Sequence, residues 1–177
     1  MNTNKSNTNA AATFTRPALT LYHANAKGTG CALRLELHPA EISADGYILM
    51  SLAPQMTVGN RLGPNPTFPK FDWENKIGVK LGFIELSKML QVFRGECETL
   101  EGDKGIYIRT TEGATRVMLR HFVEPFCGYS LEVMHSTCGG DDRRANFVMT
   151  SAESLGVCEA FVGSMHLVAF GVPNAVR

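Results

Sequence analysis

The side chains of this chain that could do chemistry are cations and aromatic rings set in alternation, not a nucleophile beside a base. Where Ile106 and Ile108 point inward, Tyr107 and Arg109 point outward; where Val117 and Leu119 point inward, Arg116, Arg120 and Phe122 share the other face. Rings presented in this way stack unpaired bases for about 1 to 3 kcal/mol each, and arginines hold phosphates. Solvated strand faces also carry arginines, so spacing by itself favours the plainer reading of a solvent-exposed face.

A second set lies at the exit of a loop rich in Gly, Pro and Asn. Phe68, Lys70, Phe71, Trp73 and Lys76 follow that loop closely, with Lys80 beyond them. Trp73 is the only tryptophan, and its type suits a core position as well as a base contact. Two further cations complete the candidates: Lys27 in a glycine-flanked turn, and Arg34 on the polar side of an alternating segment.

Other chemistries fail on spacing. His121 and Glu124 followed by Cys127 and Cys138 miss both the His-x-Glu and the Pro-Cys-x-x-Cys steps that a zinc deaminase needs. Residues 27–30 lack the spacing of a phosphate-gripping P-loop, and the histidines never pair at metal-ligand spacing. Glu36 with Glu41, and Glu96 with Glu98 and Glu101, lack apolar surroundings that would tune a carboxyl for acid–base work. The chain therefore reads as a non-enzyme, with no cofactor, no metal and no small-molecule substrate expected.

The elements that must position these residues follow from periodicity. Leu19 and Leu21 open a short apolar segment; Cys31, Leu33, Leu35 and Leu37 alternate with polar residues; and Tyr47 begins a third strand expected to stop at Pro54. Residues 55–69 are expected to be irregular, and a fourth strand is expected over roughly 73–81. Phe83, Leu86, Leu90 and Phe93 then take helical spacing, ended by Arg94 and Gly95. The second half repeats the plan: four more alternating segments lead to Thr150 and Glu153, which are spaced as a capping box. Behind them Leu155, Cys158, Phe161, Val162, Met165 and Val168 form an apolar helical stripe. The expected class is α+β, a duplicated ββββα in a single domain over 18–172, with a disordered tail at 1–17 and a C-terminal tail at 173–177.

Composition narrows the function classes. With 17 Lys and Arg against 17 Asp and Glu, no global field attracts polyanions, so any basic surface must be local. No apolar run reaches the length of about 18 residues needed to cross a bilayer, so no membrane partner is expected. Five cysteines without a C-x-x-C pair point to reduced thiols and a cytosol-like compartment. The expected location is cytoplasmic or nucleoid-associated, with mitochondrion or plastid as the alternative.

Together these residues resemble the Whirly family of single-stranded DNA-binding proteins. The resemblance rests on Lys27 to Leu33, which is similar to that family's Lys-Gly-Lys-Ala-Ala-Leu strand. It continues through Asp45 to Met50, Leu52 to Pro54, Phe71-Asp72-Trp73 with Lys76, and the helix bearing Glu85 and Leu86. It spans roughly 19–170. It implies two antiparallel four-stranded sheets packed nearly perpendicular, with helices that assemble a homotetramer, and single-stranded DNA lying along the sheets. The implied contacts are Lys27, Arg34, Phe68, Lys70, Phe71, Trp73, Lys76, Tyr107, Arg109, Arg116, Arg120 and Phe122. The family's second motif lysine is replaced here by Thr29, Gly30 and Cys31, so Lys27 carries more of the contact. RNA binding by the same fold, or a scaffold that has lost nucleic-acid binding, remain the alternatives.

Overall fold

A computed structural model describes residues 18–172 other than 61, 63, 112, 126, 138 and 141; the expected tails at 1–17 and 173–177 lie outside the described residues. Nine strands and two helices occur in the order β1 (Ala18–His23), β2 (Cys31–His38), β3 (Tyr47–Thr57), β4 (Lys70–Phe71), β5 (Ile77–Leu81), α1 (Phe83–Phe93), β6 (Ile106–Thr110), β7 (Gly113–Phe122), β8 (Gly128–Thr137), β9 (Asp142–Thr150) and α2 (Ser151–Phe170). The molecule is α+β, with two antiparallel sheets. Sheet 1 has the order β1-β2-β3-β5, and the two-residue β4 pairs with the far end of β3; sheet 2 has the order β6-β7-β8-β9.

Alternation along each strand produces the core. Leu33, Leu35, Ile48, Met50, Leu52, Val79 and Leu81 of sheet 1 meet Val117, Leu119, Leu131, Val133, Phe147 and Met149 of sheet 2 in one cluster. Leu86, Met89, Leu90 and Val92 of α1 and Val157, Phe161 and Val168 of α2 join the same cluster. Each fully buried large side chain among these contributes about 1.5 to 3 kcal/mol by leaving water.

Two strand boundaries differ from the sequence expectation. β3 continues past Pro54 to Thr57. Proline is tolerated because the β5 ladder has already ended at Leu52 on that side, while the Pro54 carbonyl accepts from Asp72 N at 2.9 Å. The fourth strand starts at Ile77 rather than near Trp73. The Asp72 carboxylate accepts from Asn75 N at 3.1 Å and from Asn75 Nδ2 at 2.9 Å, which closes a tight turn through Trp73. These bonds hold the Asp72 carboxyl below its ordinary range.

The helices also depart from the simple stripe. In α1 Phe83 is exposed, and its place in the core is taken by Met89 and Val92. In α2 Leu155 and Val162 face outward, being 62% and 38% exposed, while Ser154 and Val157 are buried. The helix is apolar around its whole circumference, and one sheet cannot cover all of it. Its last turn sits against the 39–46 turn. Ala40 N donates to Leu167 O at 2.9 Å, and a Cβ on Gly46 would stand 2.5 Å from Val168 O.

Candidate nucleic-acid interface

The outward face of sheet 2 is set by register. Tyr107 pairs with Arg116, Arg116 with Met134, and Met134 with Arg144, so these four cross the sheet as one rung. The neighbouring rungs place Arg109 beside Ala114 and Arg120 beside Ser130, and Phe122 ends β7 on the same face. The expected set of Tyr107, Arg109, Arg116, Arg120 and Phe122 is therefore brought together. Tyr107 is 60% exposed, and the Arg116 guanidinium lies 5.5 Å from its ring centroid.

These arginines differ in what holds them. Arg116 donates from Nε to Lys104 O at 2.7 Å and from Nη2 to Asp103 O at 2.6 Å, and Arg120 pairs with Asp103 at 2.8 Å. Both clamp the 101–104 turn, whose residues Glu101, Gly102 and Asp103 all take positive φ. Arg144 pairs with Glu132. The Arg109 side chain is exposed and makes no hydrogen bond or ion pair among the described residues. Exposed pairs of this kind are worth only about 0.2 to 1 kcal/mol, so phosphates can replace the acids at little cost.

Sheet 1 presents a second face. Tyr22 and Phe71 lie 5.4 Å apart, on the side of the sheet that carries Ala32 and Ala53. Further along the same side come Arg34, ion-paired with Glu36 at 2.7 Å, then Lys80 over the Tyr47 ring at 4.8 Å. Lys27 projects from the 25–30 turn, which is held by Gln55. Its Oε1 accepts from Asn25 N at 2.9 Å and Gly30 N at 3.1 Å, and its Nε2 donates to Asn25 O and Thr57 O, both at 3.0 Å. Between this turn and the loop that follows β3 lies a shallow cavity of about 330 Å³, lined by Ala24, Ala26, Val58, Leu62 and Pro69. Phe68, 78% exposed, and the exposed Lys70 follow that loop.

The twelve candidates thus fall into two groups. The core lies between the inward faces of the sheets, so the outward groups point away from it on separate surfaces of one protomer. Trp73 and Lys76 are half-buried in the turn after β4, and Trp73 does not join the core cluster. Sequence reasoning missed Tyr22, Tyr47, Met134 and Arg144 as members of these faces, and placed Lys80 only beyond the loop exit. The signal for Tyr22 was its alternation with Leu21 and His23; for the others only the pairing register places them.

No cluster of metal-ligating side chains occurs among the described residues. No protein-family model matches the chain, and no curated protein matches it in sequence. Solved structures do match. WHY3 from Arabidopsis thaliana superposes with a TM-score of 0.69 at 14% identity, over 89% of this chain and 90% of that one. WHY1 from Arabidopsis thaliana gives 0.66 at 15% identity, over 87% and 85%. With two antiparallel sheets, two helices and coverage of this extent, the chain has the Whirly fold.

Proposed function

We propose that this protein binds single-stranded DNA with little sequence preference, as a homotetramer, and serves DNA maintenance, recombination, repair or transcription as a binder rather than an enzyme. The observation that carries the reading is the outward face of sheet 2, where Tyr107 stands against Arg116 with Arg109, Arg120 and Arg144 around it. An aromatic platform next to guanidinium groups takes stacked bases and phosphates together and reads no particular base edge. Four arginines there stand against Glu132 and Asp142 on the face and Asp103 beside it, a small local excess of positive charge in a chain of zero net charge. The face of sheet 1, with Tyr22, Phe71, Arg34 and Lys27, supplies a second run of the same chemistry.

Tetramer formation is supported by the uncovered helical surface. Phe83 and Ile84 of α1 and Leu155, Val162 and Phe170 of α2 are all exposed; Ile84 shares one groove with Val162 and another with Phe83 and Phe170, so much of this apolar surface is contiguous. Burying it between copies would set several sheet faces along one strand and multiply weak contacts into firm binding.

Titration of a fluorescent single strand of about 30 nucleotides, against the same sequence as duplex and as RNA, tests the reading across a salt series. Binding to single-stranded DNA that weakens linearly in log salt is expected. Failure to bind at low salt, or preference for duplex, overturns it; tighter binding to the RNA strand replaces it with the RNA alternative.

A further inference from the structure

Where β7 ends and α2 begins, on the side of sheet 2 that faces the helices, His121, Cys127, Tyr129 and Cys158 line one cavity of about 360 Å³, with Phe93 and Leu155 among its apolar walls. Cys127 is exposed, and its Sγ lies 3.6 Å from His121 Nε2. The imidazole is braced against the Tyr129 ring at 4.7 Å, and the Tyr129 hydroxyl donates to Phe93 O at 3.2 Å. The thiol is braced through its backbone, because the Ser151 hydroxyl at the start of α2 donates to Cys127 O at 3.0 Å. His121, Cys127 and Tyr129 lie off the outward faces and the nucleic-acid reading leaves them unused; of the cavity walls only Leu155 is shared with the helical surface of the proposed assembly.

We propose that Cys127 and His121 form a thiol-modification site that takes a small aliphatic disulfide, with the transferred group resting against Phe93 and Leu155. His121 Nε2 accepts the proton of the Cys127 thiol, and the sulfur attacks one sulfur of the disulfide. The S–S bond breaks, the departing thiolate takes the proton back from the imidazolium, and it leaves as a thiol. One protein thiol and one disulfide become a mixed disulfide and a free thiol, with the disulfide as the only oxidant.

The other described cysteines are poorly placed to compete. Burial pushes the Cys31 thiol up to about 11 and also raises that of Cys158, which keeps both protonated and slow. Cys97 is half-buried. Cys127 combines exposure, an imidazole acceptor and a cavity large enough for a small substituent.

The test is reaction of the full chain with hydroxyethyl disulfide at neutral pH, with the adduct located by peptide mass spectrometry. Cys127 is expected to take the first adduct, and His121→Ala to slow that reaction about tenfold without changing the circular dichroism spectrum. A comparison that needs no variant guards against misfolding of His121→Ala: the folded protein is expected to react faster at Cys127 than the urea-unfolded chain does. A first adduct at another cysteine, an unchanged rate in a folded His121→Ala, or a folded rate no higher than the unfolded one overturns the proposal.

Discussion

Single arginines on sheet 2 divide by what already occupies them, and the division is measurable. The Arg109 side chain makes no hydrogen bond or ion pair among the described residues, so Arg109→Ala is expected to leave stability nearly unchanged and lower the slope of log affinity against log salt by about one. Arg116 holds two backbone carbonyls of the 101–104 turn, so Arg116→Ala is expected to lower the urea midpoint as well as affinity. Equal behaviour of the two variants in both assays would show that the clamp has no energetic weight. Gln55 is a positioning residue of the same kind. Its amide makes four hydrogen bonds to the backbone around the 25–30 turn, and Gln55→Ala is expected to cost about 1 to 3 kcal/mol in urea denaturation. It should also weaken single-strand binding, as Lys27→Ala is expected to do. The residue types of the site were legible in the sequence, since Tyr107, Arg116 and Phe122 alternate with apolar neighbours. What each guanidinium touches was not, because Asp103 and Lys104 reach the arginines only through a turn with positive φ.

Among the elements, α2 shows where local sequence suffices. The Thr150 hydroxyl accepts from Glu153 N at 3.3 Å, and the Glu153 carboxylate accepts from Thr150 N at 2.9 Å, as the spacing of the two residues requires. Thr150→Ala is expected to cost about 1 kcal/mol, read as a shift in the urea midpoint with no change in slope. Glu153 also accepts from His23 Nε2 at 2.6 Å, which ties β1 to the helix. Burial pushes the Glu153 carboxyl up, but bonds from Thr150 and His23 outweigh it and leave the group below its ordinary range. A carboxyl depressed in the folded state stabilises above its unfolded value and loses that contribution as pH falls through its folded one. Stability is therefore expected to drop in the acid carboxylate range, and Glu153→Gln should flatten that part of a pH series of urea midpoints. The strand boundaries were less legible. Pro54 marks a strand end in a sequence, yet β3 runs through it because β5 has already ended on that side. Trp73 suggests strand propensity, yet the Asp72–Asn75 bonds fold that segment into a turn.

At the scale of the whole molecule, the proposed tetramer would link the helical surface to the two sheet faces. Leu155→Glu with Val162→Glu is expected to give a folded monomer in sedimentation velocity and to weaken binding of a long strand far more than of a short one, because linked sites are lost while each single face persists. A variant that stays assembled, or loses long and short strands equally, would separate the helical face from binding. The sequence by itself determined the class of structure: period-two alternation, the capping box at Thr150 and two helical stripes specify a duplicated α+β chain, because these signals act between residues near one another. It also set out cations and aromatic rings in alternation as candidates, although their spacing alone leaves a plain solvated face the simpler reading. Only the tertiary structure decided which candidates share a surface. Pairing register across β6, β7, β8 and β9 joins Tyr107, Arg116, Met134 and Arg144, residues up to 37 positions apart, and the shared core turns the sheet 1 group away from them. Long-range pairing of this kind leaves no local trace, which is why the faces emerged only with the fold.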